Sequence, residues 1–389
     1  MTPKHSKAIQ QIPPSGIRRF FDLIIGQKDI ISLGVGEPDF VTPWNIREKA
    51  FYALEKGRTS YTSNWGLPEL RQEIAKYLKK YNLNYDPTAE ILITLGVSEA
   101  VDLVLRSIID PGDEVIVAEP CYVSYQPLVV LSGGKLVSLN TAKTKFIPTA
   151  KEIAKLLTPK TKALFLCSPN NPTGAVIPKS ELQKIAALAK KHDLWVISDE
   201  VYSELIYDCP HTSIGALPEM KKRTIILNGF SKAFAMTGWR IGYICCPADL
   251  MQQVIKLHQY YAICAPIMSQ YGAVEALQSC QDEVEKMRRS YLQRRNLMVP
   301  ALQKIGLSVS QPAGAFYVFV DIRSTGLTSE DFALKLLQQE KVAVVPGNVF
   351  GAGGEGFVRC CYATEISLLK EALLRMERFL KKVKIKIGG

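Results

Sequence analysis

The chain has 389 residues, 47% hydrophobic and 22% charged, the make-up of a globular protein with a large core rather than a disordered one. Its net charge of +11 brings nucleic acid and membrane surfaces into consideration, but the charge is spread along the chain. No stretch reaches the roughly eighteen apolar residues of a transmembrane helix, and the basic opening segment with Pro13-Pro14 lacks a secretory apolar core.

In chain order, an arm leads into a short helix predicted around Ile17 to Gly26. A short strand follows at Ile30 to Gly36, and the turn Glu37-Pro-Asp-Phe40 precedes a helix over Pro43 to Lys56. The chain then alternates. Ile91 to Thr94 reads as a strand, and Gly96 opens a helix to about Ile109. After the turn Asp110-Pro-Gly-Asp113, Glu114 to Ala118 is the next strand. Lys162 to Cys167, a helix from Lys179 to Lys191, and Leu194 to Ser198 repeat the unit. Arg223 to Leu227 and Ile241 to Cys245 complete the set. Continuous apolar strands alternating with amphipathic helices indicate an α/β fold whose mainly parallel sheet is covered by helices on both faces.

Past about residue 280 the pattern changes. A long charged helix over Asp282 to Ile305 leads to a strand at Ala315 to Val320, a helix near Ser329, a strand at Val342 and a last helix from Glu365. This reads as a smaller α+β domain formed by residues 1–45 and 281–389, set against a large domain over 46–280. The basic run Lys381 to Lys386 reads as a solvated end beyond the last helix. Nine cysteines include no Cys-x-x-Cys pair and no His-Cys cluster at metal spacing, so no metal is expected. Cys245-Cys246 and Cys360-Cys361 lie in apolar runs and read as buried thiols in a reducing compartment, the cytoplasm.

Ligands of such sheets bind at the carboxyl ends of the strands, so the residues that follow each strand are informative. After Leu227 comes Asn228-Gly-Phe-Ser-Lys-Ala-Phe-Ala-Met-Thr-Gly-Trp-Arg240, where Lys232 is the only charge before Arg240. Among Phe230, Ala233, Phe234 and Met236 the ammonium form is disfavoured, which makes the amine a nucleophile near neutral pH. That is what a lysine forming a Schiff base with the aldehyde of pyridoxal phosphate requires. Ser231 and Arg240 suit the cofactor's phosphate. After Thr94 comes Gly96-Val-Ser-Glu-Ala100 at a helix N-terminus, a second group favouring phosphate. Tyr122 offers a ring to stack on a planar heterocycle. Asp199 would keep a pyridine nitrogen protonated, and Asn171 and Tyr202 could donate to a phenolic oxygen. Each has a plainer reading: Asn170-Asn-Pro-Thr-Gly174 as turn chemistry, Asp199 as a helix cap, Tyr122 as core, Lys232 as a snorkelling side chain. The plainer readings do not explain why successive strand ends each supply a group that one cofactor needs.

From about Ile17 to Leu380 the chain resembles the class I, fold-type-I, pyridoxal-phosphate-dependent aminotransferases, in the branch of the aspartate and aromatic enzymes. The motifs are Ser32-Leu-Gly-Val-Gly-Glu-Pro-Asp39, Tyr61-Thr-Ser-Asn-Trp-Gly-Leu-Pro-Glu-Leu70, Asn170-Asn-Pro-Thr-Gly174, Asp199-Glu-Val-Tyr202, Ser231-Lys232 with Arg240, and Phe357-Val-Arg359. The resemblance implies that Lys232 binds the cofactor's aldehyde carbon and shuttles a proton, and that Asp199 pairs with the ring nitrogen. It implies that Asn171 and Tyr202 bond the phenolic oxygen and that Tyr122 stacks on the ring. The amides of Val97 and Ser98, with the side chains of Ser98, Ser231 and Arg240, would hold the phosphate. Tyr61 would reach the neighbouring subunit's phosphate, so a homodimer with shared sites is expected. Arg359, with Asn171 and the backbone of Gly36, would clamp the substrate carboxylate; read without the resemblance, Arg359 is an ion-pair arginine.

The substrates expected are small amino acids and 2-oxo acids, with no nucleic acid and no membrane as partners. In dicarboxylate-using relatives an arginine from the partner chain or, in this branch, a lysine beside the phosphate loop pairs with the second carboxylate; Ser98 stands at the lysine position, and the region Cys264-Ala-Pro266, where the partner-chain arginine would fall, carries no arginine. An unpaired second carboxylate is costly. Aromatic or broad neutral donors, with glutamate and 2-oxoglutarate as the other couple, are therefore expected. Aspartate, acetyl-diaminopimelate and β-elimination chemistry are the alternatives. A regulator carrying an added DNA-binding domain is not expected.

Overall fold

Aliphatic residues at successive positions suit a strand covered on both faces, and the central strands carry them. The computed structural model describes residues 5–17 and 29–387. Its strands are β1 (Ile31–Ser32), β2 (Ile91–Thr94), β3 (Glu114–Glu119), β4 (Lys135–Asn140), β5 (Thr161–Cys167), β6 (Trp195–Asp199), β7 (Thr224–Gly229), β8 (Gly242–Cys245), β9 (Ser308–Val309), β10 (Tyr317–Asp321), β11 (Val342–Ala343), β12 (Val345–Pro346) and β13 (Phe357–Cys361). The large sheet has the order β2-β8-β7-β6-β5-β3-β4. Within it β8 runs antiparallel to both neighbours and every other pair is parallel, so the sheet is mainly parallel, which is what the sequence predicts.

Alternate residues of each strand serve different cores. Val115, Val117, Phe165 and Ile197 pack with the helices Val97–Ile108 and Ala248–Tyr261. Ile116, Leu164, Leu166 and Val196 pack on the other side with Lys179–Lys191. Each such side chain contributes about 1.5–3 kcal/mol by leaving water. The edge strand β4 escaped the sequence reading because it is polar; of its six residues only Leu139 is buried. The helices Pro68–Leu78 and Ile267–Ser279 were also missed. The second of these buries Ser269, Gln270, Gly272 and Ala273, so no apolar stripe marks it.

The C-terminal third forms the antiparallel sheet β12-β13-β10-β9, while β1 pairs in parallel with β11, Ile31 opposite Val342. The long helix Gln281–Lys304 ties distant segments together through Arg294 on Asp39 at 2.7 Å and Arg295 on Asp208 at 2.5 Å. The helix expected around Ile17 to Gly26 lies outside the described residues beyond Ile17. The basic tail needs correction in its position: it does not follow the last helix, because the helix Ile366–Ile387 runs through it, although Lys381 and Lys382 are exposed to solvent. Lys381 pairs with Glu377 one turn back, and Lys382 reaches the Glu340 carboxylate at 2.7 Å. Cys245, Cys246, Cys360 and Cys361 are buried free thiols.

Candidate active site

The loops that leave β2, β3, β5, β6 and β7 converge on a cavity of about 600 Å³. All of the residues singled out from sequence border it, with the exception of Tyr61. Tyr61 is 78% exposed and lies away from this chain's cavity.

Lys232 follows β7 in a short turn whose other side chains, Phe230, Ala233, Phe234 and Met236, are buried in the core. The chain can turn there because Ala235 takes a left-handed conformation with φ 52°. Lys232 itself is left facing the cavity, and its Nζ donates to the Gly36 carbonyl at 2.8 Å. Desolvation lowers its pKa to about 8, with the Glu37 carboxylate pulling the other way. The amine is thus ready to lose its proton near neutral pH.

One end of the cavity is built for an anion. Gly96 precedes the helix Val97–Ile108, whose first backbone N–H groups have no partner within the helix. Only glycine fits there: its φ is +78°, and an added Cβ would stand 2.9 Å from Arg240 Nη2. Arg240, also left-handed at φ 51°, is held by Thr237 O at 3.0 Å and Leu95 O at 3.4 Å. Such a conformation in a non-glycine residue is a strain that functional sites tend to carry. Ser98 and Ser231 border the same cavity. Behind the loop, Glu99 accepts from the Leu95 amide at 2.6 Å and from His258 Nδ1 at 2.9 Å.

Asp199, the last residue of β6, is buried, and desolvation raises its pKa to about 6. Tyr125 opposes that rise by donating to Oδ2 at 2.6 Å, and the Val201 amide donates to Oδ1 at 3.1 Å. Turns and not a helix follow Asp199, so it caps no helix although it accepts from the Val201 amide, and it borders the cavity. Tyr122 borders the cavity as well and meets Tyr125 edge to face at 5.8 Å.

Arg359, in β13, is 2% exposed. Its Nη1 donates to Asn171 Oδ1 at 2.9 Å and its Nη2 to Gly34 O at 2.7 Å, while Nε is buried without a protein partner. No carboxylate of the chain meets it, so the plain ion-pair reading fails among the described residues. A buried guanidinium satisfied by neutral acceptors keeps its charge for a ligand.

The structure adds residues that the sequence reading did not single out. Tyr125 holds Asp199, and Glu37 faces Lys232. Tyr317 places its hydroxyl 2.9 Å from that of Tyr202. Tyr125 opens the helix Tyr125–Leu131 three residues after Tyr122, and Glu37 lies in the Gly-Glu-Pro-Asp motif. Position alone could have nominated those two. Tyr317 sits in an apolar run that reads as pure core.

The family described as aminotransferase class I and II matches residues 28–376. A Bacillus subtilis protein, YugH, is 54% identical over 384 residues, covering 98% of this chain and 100% of its own. The aspartate aminotransferase of Pyrococcus abyssi is 46% identical over 385 residues, 98% of this chain and 99% of its own. The crystal structure of the aromatic aminotransferase of Pyrococcus horikoshii superposes with a TM-score of 0.90 at 46% identity, covering 95% of this chain and 99% of that one. With a lysine, a buried carboxylate and a buried arginine around one cavity, and likeness along nearly the whole length, the chain belongs to the class I and II aminotransferases.

Proposed function

We propose that this aminotransferase uses pyridoxal phosphate and moves amino groups between an aromatic or other neutral L-amino acid and a 2-oxo acid such as 2-oxoglutarate. The observation that carries the reading is the place of Lys232: a part-desolvated amine bordering the same cavity as Asp199, Arg240 and Arg359. The residues fit the cofactor. An anion corner, a carboxylate with a raised pKa and an arginine with an orphaned Nε are each costly in isolation and each explained by one ligand.

When bound, the cofactor supplies an aldehyde for the amine and a ring that accepts the electrons released at the substrate α-carbon. Lys232 would be the base that takes the α-proton and delivers it to the cofactor's C4′. Asp199 would keep a proton on the ring nitrogen. Asn171, whose Oδ1 is committed to Arg359, presents its Nδ2 as a donor, and with Tyr202 it would bond the phenolic oxygen. Tyr122 would stack on the ring. The Val97 and Ser98 amides, the hydroxyls of Ser98 and Ser231 and the Arg240 fork would hold the phosphate. Arg359 takes the substrate carboxylate on the atoms that Asn171 and Gly34 leave free, and Gly36 stands beside it.

The neutral preference is supported by the cavity's charges. Among the described residues that border it, the cations are Lys232, Arg240 and Arg359, each already assigned. Glu37 adds a negative charge that a second substrate carboxylate would face. We also take residues 46–280 as the cofactor domain and 1–45 with 281–389 as the smaller one. A homodimer is in keeping with the exposure of Trp44, Phe51, Tyr52, Tyr61, Tyr260 and Tyr261, large rings open to a second subunit. No helix among the described residues is long and apolar enough to cross a membrane; a cytoplasmic enzyme is proposed. Lys232→Ala tests the core of the reading. It should remove the visible absorbance of bound cofactor and lower transamination by about three orders of magnitude or more; an unchanged rate would refute the assignment.

A further inference from the structure

We infer that Tyr317 is a positioning residue of this site: its hydroxyl donates to Tyr202, turning the Tyr202 proton toward the cavity, and its ring supports the Arg359 guanidinium. The inference rests on the pyridoxal-phosphate reading above. Tyr317 opens β10, and both phenols are buried, at 1% and 3% exposure, with their oxygens 2.9 Å apart. A phenol has one proton to give. In a buried pair one hydroxyl donates inward, and the other is left to donate elsewhere.

Arg359 sets the direction. Its guanidinium lies 4.5 Å from the Tyr317 ring centroid, close enough for a cation–π contact. A cation over the face of the Tyr317 ring stabilises electron density drawn from its oxygen, which makes the Tyr317 hydroxyl the better donor of the pair.

Gly36 fixes the third side. An added Cβ there would come within 2.7 Å of the Tyr317 hydroxyl, and the carbonyl of Gly36 holds the Lys232 ammonium. The Tyr317 oxygen thus sits where the residue proposed to bond the phenolic oxygen, the Lys232 acceptor and the carboxylate clamp meet. The ring contributes separately. Arg359 is also 4.9 Å from the Phe350 ring, so Tyr317 and Phe350 together define where the guanidinium can lie.

The two roles come apart in the holoenzyme. Tyr317→Phe keeps the ring and removes the hydroxyl. A weaker Tyr202 bond leaves the cofactor's phenolic oxygen more basic, so the pH at which the bound cofactor's visible band changes should rise by roughly half a unit to one unit. Amino-acid affinity, read from the same spectra, should stay within about twofold. Tyr317→Leu removes the ring too and should weaken that affinity by about a further tenfold. Tyr202→Phe is the reference and should move the band at least as far as Tyr317→Phe. If Tyr202→Phe moves the band and Tyr317→Phe does not, the hydroxyl's role is overturned. Equal amino-acid affinities in the Phe and Leu variants overturn the ring's role. A band that neither Tyr202→Phe nor Tyr317→Phe moves removes Tyr202 from the phenolic oxygen, and the failure then lies in the proposed site itself.

Discussion

Tyr125 donates its phenolic proton to Asp199 at 2.6 Å, and so holds ionised a carboxylate that burial pushes toward neutrality. Asp199 is raised to about 6 even with this bond. In Tyr125→Phe the pKa should rise further, by up to about one unit, the worth of a charge-assisted hydrogen bond. Less of the carboxylate is then charged at pH 7, and the acid limb of cofactor affinity moves to higher pH. Titrating cofactor binding against pH in both proteins checks this. Superimposable profiles would show that the Tyr125 bond does not govern Asp199.

Lys232 gives a second pH dependence. Its neutral amine is the reactive form, and desolvation brings the pKa from the usual lysine range to about 8. Capture of pyridoxal phosphate by the cofactor-free protein should therefore accelerate as pH rises through about 8. Glu37 favours the charged ammonium, so Glu37→Gln should shift the midpoint downward. Stopped-flow absorbance across pH measures both. A midpoint near the ordinary lysine value of about 10.4 would contradict the desolvation argument.

His258 and Glu99 predict a coupled pair of variants. Glu99 is wedged behind the loop that opens the helix Val97–Ile108, with His258 donating to one oxygen and the Leu95 amide to the other. His258→Leu removes one donor and leaves the carboxylate under-paired beside the proposed phosphate corner. Cofactor affinity should fall by about tenfold. Glu99→Gln in the same chain keeps the bond to Leu95 and removes the charge, so the double variant should recover part of the loss. Equilibrium dialysis of the cofactor would decide, and unaltered affinity in His258→Leu would end the argument.

Much of the site was legible because it is carried by loops that directly follow strands. Asp199, Asn171, Lys232 and the Gly96–Ser98 turn are each next to a continuous apolar run, so the fold and the site announced each other. The supporting residues were hidden for a physical reason. Tyr317 and His258 act on partners 115 and 159 positions away, and nothing local distinguishes them from core. Polarity misled the reading at two places. The edge strand β4 buries one residue of six, and at the lysine-rich end of the last helix Lys381 and Lys382 pair with Glu377 and Glu340 while Val383 still packs against the core.

The most direct test of the whole account is a half-reaction. The purified protein with pyridoxal phosphate bound is mixed, in the absence of any oxo acid, with phenylalanine, tyrosine, glutamate or aspartate, and the visible spectrum is followed. The account predicts that the yellow form is converted to the pyridoxamine form, quickly by phenylalanine or tyrosine and also by glutamate, and that aspartate is the slow donor. Rapid conversion by aspartate with little by the aromatic donors would contradict the reading of a cavity without a cation for a second carboxylate. No conversion by any amino acid would contradict the transamination itself.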